Sequence, residues 1–314
     1  MNIKIIPLST ISLDDIRFRI SFFPDLKSMT DSVKRIGLIH PPLVCRREDK
    51  SVIVCGWKRI EACLILKIKE IPVVYSEEKS DLKLFQTALF ENIAFRNLDY
   101  LGIAEAVLRL IRFGRTEDDV IKTIFPMLGV PTTYEYLDLY LNIARCSHDV
   151  KREVFQAGFS IDAARLLMRF EEDDRMVLAR IVSPLGRNKQ KQILEDILDI
   201  AHRDGKDVQH ILKEKEAAEV LQSSTLSSSQ KAEHLRKYLG KKRYPALTEK
   251  EAKFRSRVKS LKWPADVTIQ PEPYFEEKDL HVSFSFKNRK EFLHIVKNLE
   301  KISQDDNFDS LIDK

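Results

Sequence analysis

The chain has 314 residues, which is too long for one small hydrophobic core and suggests two or three domains of about 100–150 residues each. Its 43% hydrophobic and 32% charged residues exclude wholesale disorder. With 53 basic against 48 acidic residues, the net charge of +5 permits a polyanionic partner but does not by itself establish nucleic-acid binding.

Residues 1–80 are predicted to form an α+β domain. The segments NIKIIPL, PPLV, SVIVCG and IPVVYS have the pattern of short strands and alternate with helix-like segments. One of these, SMTDSVKRIG, carries apolar Met29, Val33 and Ile36 at helical spacing and ends at Gly37.

Residues 81–222 are predicted to form an all-α domain. From DLKLFQTALFENIAF to KQILEDILDIAHRDG, apolar residues recur at spacings of three and four, and glycines or short polar turns separate the segments. No strand pattern interrupts this region.

The C-terminal part is predicted to begin with a flexible linker, residues 223–250, because the segment SSTLSSSQK is rich in serine. Residues 251–314 then form a small module, with strands in DVTIQPEPYF and DLHVSFSF and a helix in RKEFLHIVKNLEKI. Two strands and one helix make too small a sheet to be stable alone. We therefore expect the module either to pair with a second chain or to dock onto the helical domain.

Cysteine usage and hydropathy narrow the class of protein. The four cysteines, at positions 45, 55, 63 and 146, include no C-x-x-C pair, and only seven histidines could complete a zinc site, so we expect no structural metal. No apolar stretch approaches the roughly 18–20 residues of a membrane span. The N-terminus also lacks the pattern of a signal peptide. We expect a cytoplasmic protein with reduced thiols.

The segment CGWKRIEA joins a buried strand to an amphipathic helix. Gly56 allows backbone geometry closed to other residues, and the helix start presents unpaired N–H groups and a positive dipole end. Lys58 and Arg59 oppose that dipole at a cost of about 0.3–1 kcal/mol each, which a bound anion would offset. In the alternative interpretation, the two cations only solvate the helix start while Ile60 and Cys63 pack inward.

Four segments lie in the order DSVKRIGLIHPPLV, GWKRIEA, FENIAFRNLDYLGIAEA and SHDVKREVFQAGFSIDAARLLMRF. They resemble, in the same order, four boxes of the ParB family of chromosome and plasmid partition proteins. Those boxes are S-I-x-x-x-G-L-I-Q-P-I-x-V, G-E-R-R-x-R-A, E-N-x-x-R-x-x-L-x-P-I-x-x-A and P-E-x-V-x-x-x-x-x-x-G-x-L-S-x-G-H-A-R-A-L. The N-terminal fold of this family is related to sulfiredoxin, so the resemblance implies a ParB/sulfiredoxin-like N-terminal domain.

The resemblance also implies that this domain binds CTP, or another nucleotide, together with Mg²⁺. The residues on or beside the nucleotide-contacting positions of the family are Gly37, His40, Gly56, Lys58, Arg59, Glu91, Asn92 and Arg96. By resemblance Gly56, Lys58 and Arg59 contact phosphates, and the GLIHP turn lies against the base. Glu91 and Asn92 face the metal, which is reasonable because Mg²⁺ takes few carboxylates together with phosphate oxygens.

The sequence departs from the family at several positions. Trp57 stands where the family has a glutamate and where sulfiredoxin has its catalytic cysteine, and Glu61 replaces a later arginine. The position that matches the arginine of E-N-x-x-R is Phe95, and Arg96 follows one place later. A shift of one residue along a helix turns a side chain by about 100°, which leaves open whether Arg96 reaches the same phosphate. A tryptophan cannot be a thiolate nucleophile, and Cys55 is expected to be buried and inert. Nucleotide binding is therefore favoured over hydrolysis.

By the same resemblance, residues 116–143 form a helix-turn-helix, with TEDDVIKTIFPMLG as its first helix and TTYEYLDLYL as its recognition helix. Pro126 is expected to kink or end the first helix. The recognition helix carries Glu135 and Asp138 but no Lys or Arg, which suits a phosphate backbone poorly. The residues predicted to bind DNA are Thr132, Thr133, Tyr134 and Arg165. Alternatively, this helix only packs in a bundle and Arg165 forms a surface ion pair.

The sequence thus predicts a ParB-like DNA-binding protein for plasmid or chromosome partition or transcription regulation, controlled by a nucleotide. We expect it to be nucleoid-associated and homodimeric, with a partition ATPase as a candidate further partner. Other cations, Lys151 among them, are candidates for a non-specific DNA surface or for solvated helix faces. Two alternatives stay open: an enzyme of the same fold, such as a weak CTPase, a kinase or a nuclease, and an adaptor that has lost nucleotide and DNA contacts.

Overall fold

The structure is a computed structural model, and it describes residues 3–21, 23–261, 263–264, 266–272, 275, 279–305 and 308–311. The chain forms two compact units, the first ending at Leu194 and the second beginning at Glu195. Within the described ranges, no helix is long and apolar enough to cross a membrane. The predicted domain boundary at residue 80 falls inside the first unit, and the division into three domains stays a prediction.

A five-stranded mixed sheet forms the N-terminal part of the first unit. Its strands are β1 (Ile3–Pro7), β2 (Ile11–Ser12), β3 (Leu43–Arg47), β4 (Lys50–Cys55) and β5 (Glu70–Ser76), in the spatial order β1-β5-β3-β4-β2. The β1–β5 and β3–β4 pairs are antiparallel, whereas β3–β5 and β2–β4 are parallel. A mixed sheet of short strands is consistent with the predicted α+β class.

Helices cover both faces of this sheet. Helices α1 (Lys27–Ile36) and α2 (Trp57–Ile65) pack over the face that carries Ile53, and α3 (Asp81–Phe95) packs over the face that carries Val52 and Val54. Because successive strand residues point to opposite faces, a strand buried on both sides reads as a continuous apolar run. This explains the segment SVIVC, in which all five residues are buried.

The first unit continues as helices, as the sequence predicts. These helices are α4 (Tyr100–Arg112), α5 (Glu117–Asp119), α6 (Phe125–Leu128), α7 (Tyr134–Arg145), α8 (His148–Gln156), α9 (Ile161–Leu167), α10 (Glu172–Val182) and α11 (Arg187–Asp204). The last of them extends into the second unit. Side-chain oxygens accept hydrogen bonds from the first-turn amides at several N-termini, which fixes where these helices begin. The capping residues are Ser80, Asp99, Thr116, Thr133, Ser147 and Ser160.

Pro126 does not end the first helix of the predicted helix-turn-helix. A π-helical turn, Val120–Ile124, connects α5 to α6, and Pro126 lies in the first turn of α6. A π turn changes the hydrogen-bond register, so the helical path continues through a residue that has no N–H group. The path ends at Gly129, whose φ of +67° is the left-handed geometry of a helix C-cap.

Lys151 is buried, which contradicts its place among the candidate surface cations. Only 8% of the residue is exposed, and its ammonium donates to the carboxylate of buried Glu105 at 3.0 Å and to the carbonyl of Ala144 at 2.9 Å. The guanidinium of Arg109 lies 3.6 Å from the same carboxylate. A buried charge requires such partners, and the sequence around Lys151 does not reveal them.

The serine-rich region is largely helical, so the prediction of a flexible linker over residues 223–250 is wrong. The second unit contains α12 (Val208–Lys213), α13 (Lys215–Gln222), α14 (Ser228–Arg243) and α15 (Pro245–Ser260). Ser227 and Gln230 form a reciprocal capping box at the start of α14. The serines therefore begin a helix, and this helix then buries Ala232, Leu235 and Leu239.

The C-terminal part of the described chain contains two strands and a helix. Strands β6 (Val267–Pro271) and β7 (Leu280–Phe284) form an antiparallel pair, and α16 (Arg289–Ser303) follows. Part of the first predicted strand segment, at positions 273–274, lies outside the described residues. One side of the module packs on α15 through a small core whose buried members are Phe254, Leu261, Ile302 and Leu311.

Candidate functional site

A cavity of about 610 Å³ lies where α1, α2 and the C-terminal end of α3 meet. Its walls include the turn after α1 and the turn from β4 into α2. All eight residues predicted to bind a nucleotide line it: Gly37, His40, Gly56, Lys58, Arg59, Glu91, Asn92 and Arg96. The structure therefore brings together residues up to 59 positions apart in the chain, Gly37 and Arg96 being the outermost.

Gly56 is required by the geometry of the turn from β4 into α2. It is the N-cap of α2 with φ +96°, a conformation that L side chains rarely adopt. A Cβ atom at this position would lie 3.0 Å from Cβ and 3.2 Å from Cα of Pro42. The close approach of these two backbone segments brings the amides at the start of α2 to the cavity wall, where a helix N-terminus favours an anion.

Arg59 connects three walls of the cavity. Its Nη1 donates to the carbonyl of His40 at 2.8 Å and to that of Pro41 at 3.3 Å, and its Nη2 donates to Glu91 Oε1 at 2.9 Å. The guanidinium thus ties α2 to the turn after α1 and to α3. Arg59 shapes the cavity in addition to lining it, so its removal alters the site even before any ligand is considered.

Lys58 is the cavity cation that stays available to a ligand. Three cations line the cavity, Lys58, Arg59 and Arg96, against the single carboxylate of Glu91. Hydrogen bonds and ion pairs engage both arginines, whereas the Lys58 ammonium has no such partner among the described residues. An excess of positive charge beside a helix N-terminus favours binding of a phosphorylated ligand.

Arg96 reaches the cavity although it stands one residue later than the family arginine. Helix α3 ends at Phe95, and Arg96 is its C-cap, with an extended backbone at φ −161° and ψ 155°. Its side chain turns back, and Nε and Nη2 donate to Asn92 Oδ1 at 3.2 and 3.0 Å. The 100° rotation per helical residue therefore does not apply to it. Arg96 lies in the cavity wall, and its contact with a phosphate stays a prediction.

Trp57 and Cys55 have structural roles beside the cavity. The Trp57 residue is 8% exposed and the guanidinium of Arg19 lies over its ring at 4.9 Å, while Arg19 also pairs with Glu61 at 2.7 Å. Burial raises the pKa of the Cys55 thiol to about 12, so it is not a thiolate at neutral pH. The expectation that Cys55 is buried is confirmed.

The remaining wall of the cavity is apolar. Ile36 is 62% exposed, Ile39 is 63% exposed and Phe95 is 83% exposed, and all three line the cavity. Large apolar side chains exposed together at a cavity rim are typical of a ligand site. They suit a flat, weakly polar group such as a nucleobase.

The four residues predicted to bind DNA cluster around the N-terminus of α7. Thr133 caps the helix, Tyr134 donates a hydrogen bond to the carboxylate of Asp118, and Thr132 is exposed just before them. Arg165 forms an ion pair with Glu135, and its guanidinium lies 4.6 Å from the centre of the Tyr136 ring. The structure therefore brings these residues together, and three of them already make contacts within the chain.

Residues 1–93 match the family described as the ParB N-terminal domain. This part of the chain is similar to ParB N-terminal domains. Over 190 residues the chain is 32% identical to the probable chromosome-partitioning protein ParB of Chlamydia muridarum, covering 56% of this chain and 66% of that one. The ParB of Chlamydia trachomatis is 30% identical over 186 residues, covering 55% and 64%. The chain thus spans less than two thirds of the length of these curated relatives.

A solved structure also matches the chain. It is the C-terminally truncated ParB of Caulobacter crescentus complexed with CTP-γ-S, which is 20% identical and has a TM-score of 0.28 over 57% of this chain and 97% of that one. A likeness this low carries no argument about the ligand or fold of the present chain. The similarity of this chain to ParB proteins lies in residues 1–93 and in the segments shared with the curated relatives.

The cavity offers few ligands to a metal ion alone. The described residues contain no group of three or more His, Cys, Asp or Glu side chains that could hold a metal ion. Glu91 and Asn92 offer oxygen atoms, but Glu91 pairs with Arg59 and Asn92 Oδ1 accepts from Arg96. Mg²⁺ would therefore depend on phosphate oxygens for most of its ligands.

Sequence reasoning missed one wall of the cavity, the segment 15–21 between β2 and α1. Phe18, Ile20 and Ser21 of this segment line the cavity, and Ser21 Oγ accepts a hydrogen bond from Arg96. The segment has no regular secondary structure and no motif in the ParB resemblance. Only the alternation of apolar Ile16, Phe18 and Ile20 in IRFRI hinted that it would be anchored to a core.

Proposed function

We propose that the cavity binds a nucleoside triphosphate, CTP by the ParB resemblance, and that the phosphates lie at the N-terminus of α2. The observation that carries this proposal is the meeting of a glycine-based helix start, the uncommitted Lys58 ammonium and two further cations in one cavity with an apolar rim. When bound, Mg²⁺ would neutralise phosphate charge beside Glu91 and Asn92. The exposed apolar side chains at the rim support contact with the base.

Calorimetric titration of the full chain with CTP and with ATP, in the presence of Mg²⁺, tests this assignment. Lys58→Gln is the informative variant, because it removes a cation that has no hydrogen-bond or ion-pair partner in the part of the chain that the structure describes. We expect CTP affinity to fall about tenfold or more, since a charge-assisted contact to phosphate is worth about 1.5–3 kcal/mol. The control Lys69→Gln removes an exposed cation outside the cavity and should leave affinity unchanged. Equal affinity of the two variants would exclude the phosphate assignment.

We further propose that the chain binds DNA and serves in chromosome or plasmid partition, or in transcription regulation, as a nucleotide-controlled protein. The support is the similarity to ParB N-terminal domains together with curated relatives that are named as probable chromosome-partitioning proteins. The cluster at the N-terminus of α7 is the candidate contact surface. Exposed Thr132 and Tyr134 and the guanidinium of Arg165 supply donors at a helix start, which is where a recognition helix contacts DNA.

DNA binding is tested by fluorescence anisotropy with a random-sequence duplex and with genomic fragments, at several salt concentrations. Phosphate contacts predict that affinity falls steeply between about 50 and 200 mM salt. Arg165→Ala should weaken binding and flatten this salt dependence relative to the wild-type chain. Absence of binding at the lowest salt concentration would favour the adaptor interpretation, in which the scaffold is kept without its DNA contacts.

A homodimer formed through the C-terminal module is part of the same proposal. The sheet has only two strands, and apolar side chains of β7, α16 and the residues between them stay exposed: Val282 at 44%, Phe286 at 53%, Phe292 at 38%, Leu293 at 45% and Val296 at 39%. An apolar face of this kind favours burial against a second copy. Sedimentation velocity should show a dimer that Leu293→Glu dissociates and that Lys301→Glu, on the same helix, does not.

A further inference from the structure

Arg96 of the cavity needs an anchor that the helix does not supply. In the ParB resemblance the arginine belongs to helix α3, but the position that matches it is Phe95, and Arg96 lies beyond the helix end. A residue with extended backbone at a helix terminus is not oriented by the helix itself. The direction of its side chain therefore depends on the contacts that it makes.

Two side chains hold the Arg96 guanidinium. Asn92 Oδ1 accepts from Nε and Nη2 at 3.2 and 3.0 Å, and the Asn92 amide in turn donates to the carbonyl of Ala88 at 2.9 Å. Ser21 Oγ accepts from Nη2 as well. These contacts use Nε and Nη2, and within the described ranges Nη1 makes no hydrogen bond. Two of the five donors of the guanidinium thus stay available at the cavity wall.

Ser21 is fixed independently of Arg96. Arg109 Nη1 donates to the carbonyls of Ile16 at 2.6 Å and Arg17 at 3.1 Å, which holds the 15–21 segment against α4. Arg19 Nε donates to the carbonyl of Ser21 itself at 3.0 Å. The neighbouring residue Ile20 is buried at 3% exposure. The hydroxyl is thus presented to Arg96 by a segment that is anchored elsewhere.

We propose that Ser21 is a positioning residue of the nucleotide site. Its hydroxyl holds the Arg96 guanidinium against the cavity, so that Arg96 contacts a phosphate although it lies one residue after the position that matches the family arginine. This inference rests on the proposed function of the cavity. It assigns a role in ligand binding to the 15–21 segment, which carries none of the motifs of the ParB resemblance. Ser21 acts through Arg96 and not by its own contact with the nucleotide.

A double-mutant cycle on CTP affinity tests this role in the full chain. Ser21→Ala should weaken CTP binding about fivefold, because an arginine that is free to turn loses part of its interaction with phosphate. Ser21→Thr keeps the hydroxyl and should restore affinity to within about twofold of wild type. Arg96→Ala should weaken binding at least as much as Ser21→Ala. In the Arg96→Ala background, the added Ser21→Ala change should have no further effect.

Ser28→Ala is the matched control, since Ser28 is exposed on α1 outside the cavity and makes no hydrogen bond through its side chain within the described ranges. It should bind CTP like the wild type. Unchanged affinity of Ser21→Ala, or an equal loss with and without Arg96, overturns the positioning role while the nucleotide site stands. No binding by the wild-type chain overturns the proposed nucleotide function and the positioning role together. Thermal melting of each variant separates a loss of binding from a loss of fold.

Discussion

Gly56 provides the sharpest test of the cavity geometry, through the substitution Gly56→Ala. The residue has φ +96°, and a Cβ atom there would lie 3.0 Å from Cβ and 3.2 Å from Cα of Pro42, with Arg59 Cζ at 3.3 Å. The Pro42 Cα is backbone of the segment entering β3, so it cannot turn aside as a flexible side chain can. The Arg59 guanidinium can move, but its contacts with His40 and Glu91 would then be disturbed.

Two contributions set the expected loss of stability. A left-handed backbone conformation costs an L residue about 1–2 kcal/mol relative to glycine. The close contact with Pro42 adds about 1–3 kcal/mol, the usual cost of forcing an extra carbon into a packed region. The free energy of unfolding should therefore fall by about 2–5 kcal/mol. For a unit of this size each kcal/mol lowers the melting temperature by about 2–4 °C.

Gly114→Ala is the matched control for this measurement. Gly114 has a similar φ of +102°, but a Cβ there meets no atom within 4 Å. Scanning calorimetry gives the melting temperature of both variants. Both lose stability through the conformational cost, whereas the close contact with Pro42 affects only Gly56→Ala. If Gly114→Ala lowers the melting temperature as much as Gly56→Ala does, the packing of Pro42 against the turn does not constrain Gly56 and the reasoning fails.

Four further predictions concern charged residues. Lys151→Met should lower the free energy of unfolding, measured by urea titration, by about 3 kcal/mol, because it leaves the buried Glu105 carboxylate with one cation fewer. The control is Arg152→Met at the adjacent exposed position, which should lower the free energy of unfolding much less. Glu135→Gln should raise the affinity for random duplex DNA, measured by fluorescence anisotropy, about twofold to fivefold, because it releases Arg165 and removes a negative charge. The charge-matched control Asp138→Asn, on the same helix, should raise this affinity less. Burial alone would raise the pKa of Glu214, but hydrogen bonds from Lys242, Tyr238 and Lys206 lower it to about 2. The stability that the Glu214 carboxylate contributes is therefore present above about pH 4.5 and is lost as the pH falls towards 2. Glu214→Gln should make the free energy of unfolding depend less on pH over that range, and the control Glu219→Gln should not. Lys58→Gln should raise the melting temperature of the ligand-free chain slightly, because a cation at the start of α2 opposes the helix dipole.

The cavity could be predicted from the sequence because its residues belong to local patterns. Gly37 ends a helix and Gly56 begins one, and the φ values of +71° and +96° are the geometry that such positions demand of glycine. Lys58 and Arg59 follow Gly56 directly, so their placement needs no knowledge of the rest of the fold. The ParB resemblance then supplied the link to Glu91 and Asn92, which no local pattern connects to the turn.

Features that depend on distant partners could not be predicted. Lys151 reads as a surface cation in the segment HDVKREVF, and its burial depends on Glu105, which lies 46 residues earlier in the chain. Ser227 reads as part of a serine-rich linker, although the same hydroxyl composition also begins helices. The apolar residues that α14 buries, Ala232, Leu235 and Leu239, have helical spacing but lie after the serines. Ser21 lies in a segment without regular secondary structure, and its contact with Arg96 spans 75 positions.

The two cations at the start of α2, Lys58 and Arg59, differ in the contacts that they make. Both lie in the first turn, where the helix dipole disfavours positive charge by about 0.3–1 kcal/mol each. For Arg59 this cost is offset within the chain, because its guanidinium donates to two carbonyls and to the Glu91 carboxylate. For Lys58 the contacts within the described ranges give no such offset. Because contacts within the chain already account for the position of Arg59, Arg59 is weak support for a bound ligand. Lys58 is therefore the stronger support for an anion at this helix start.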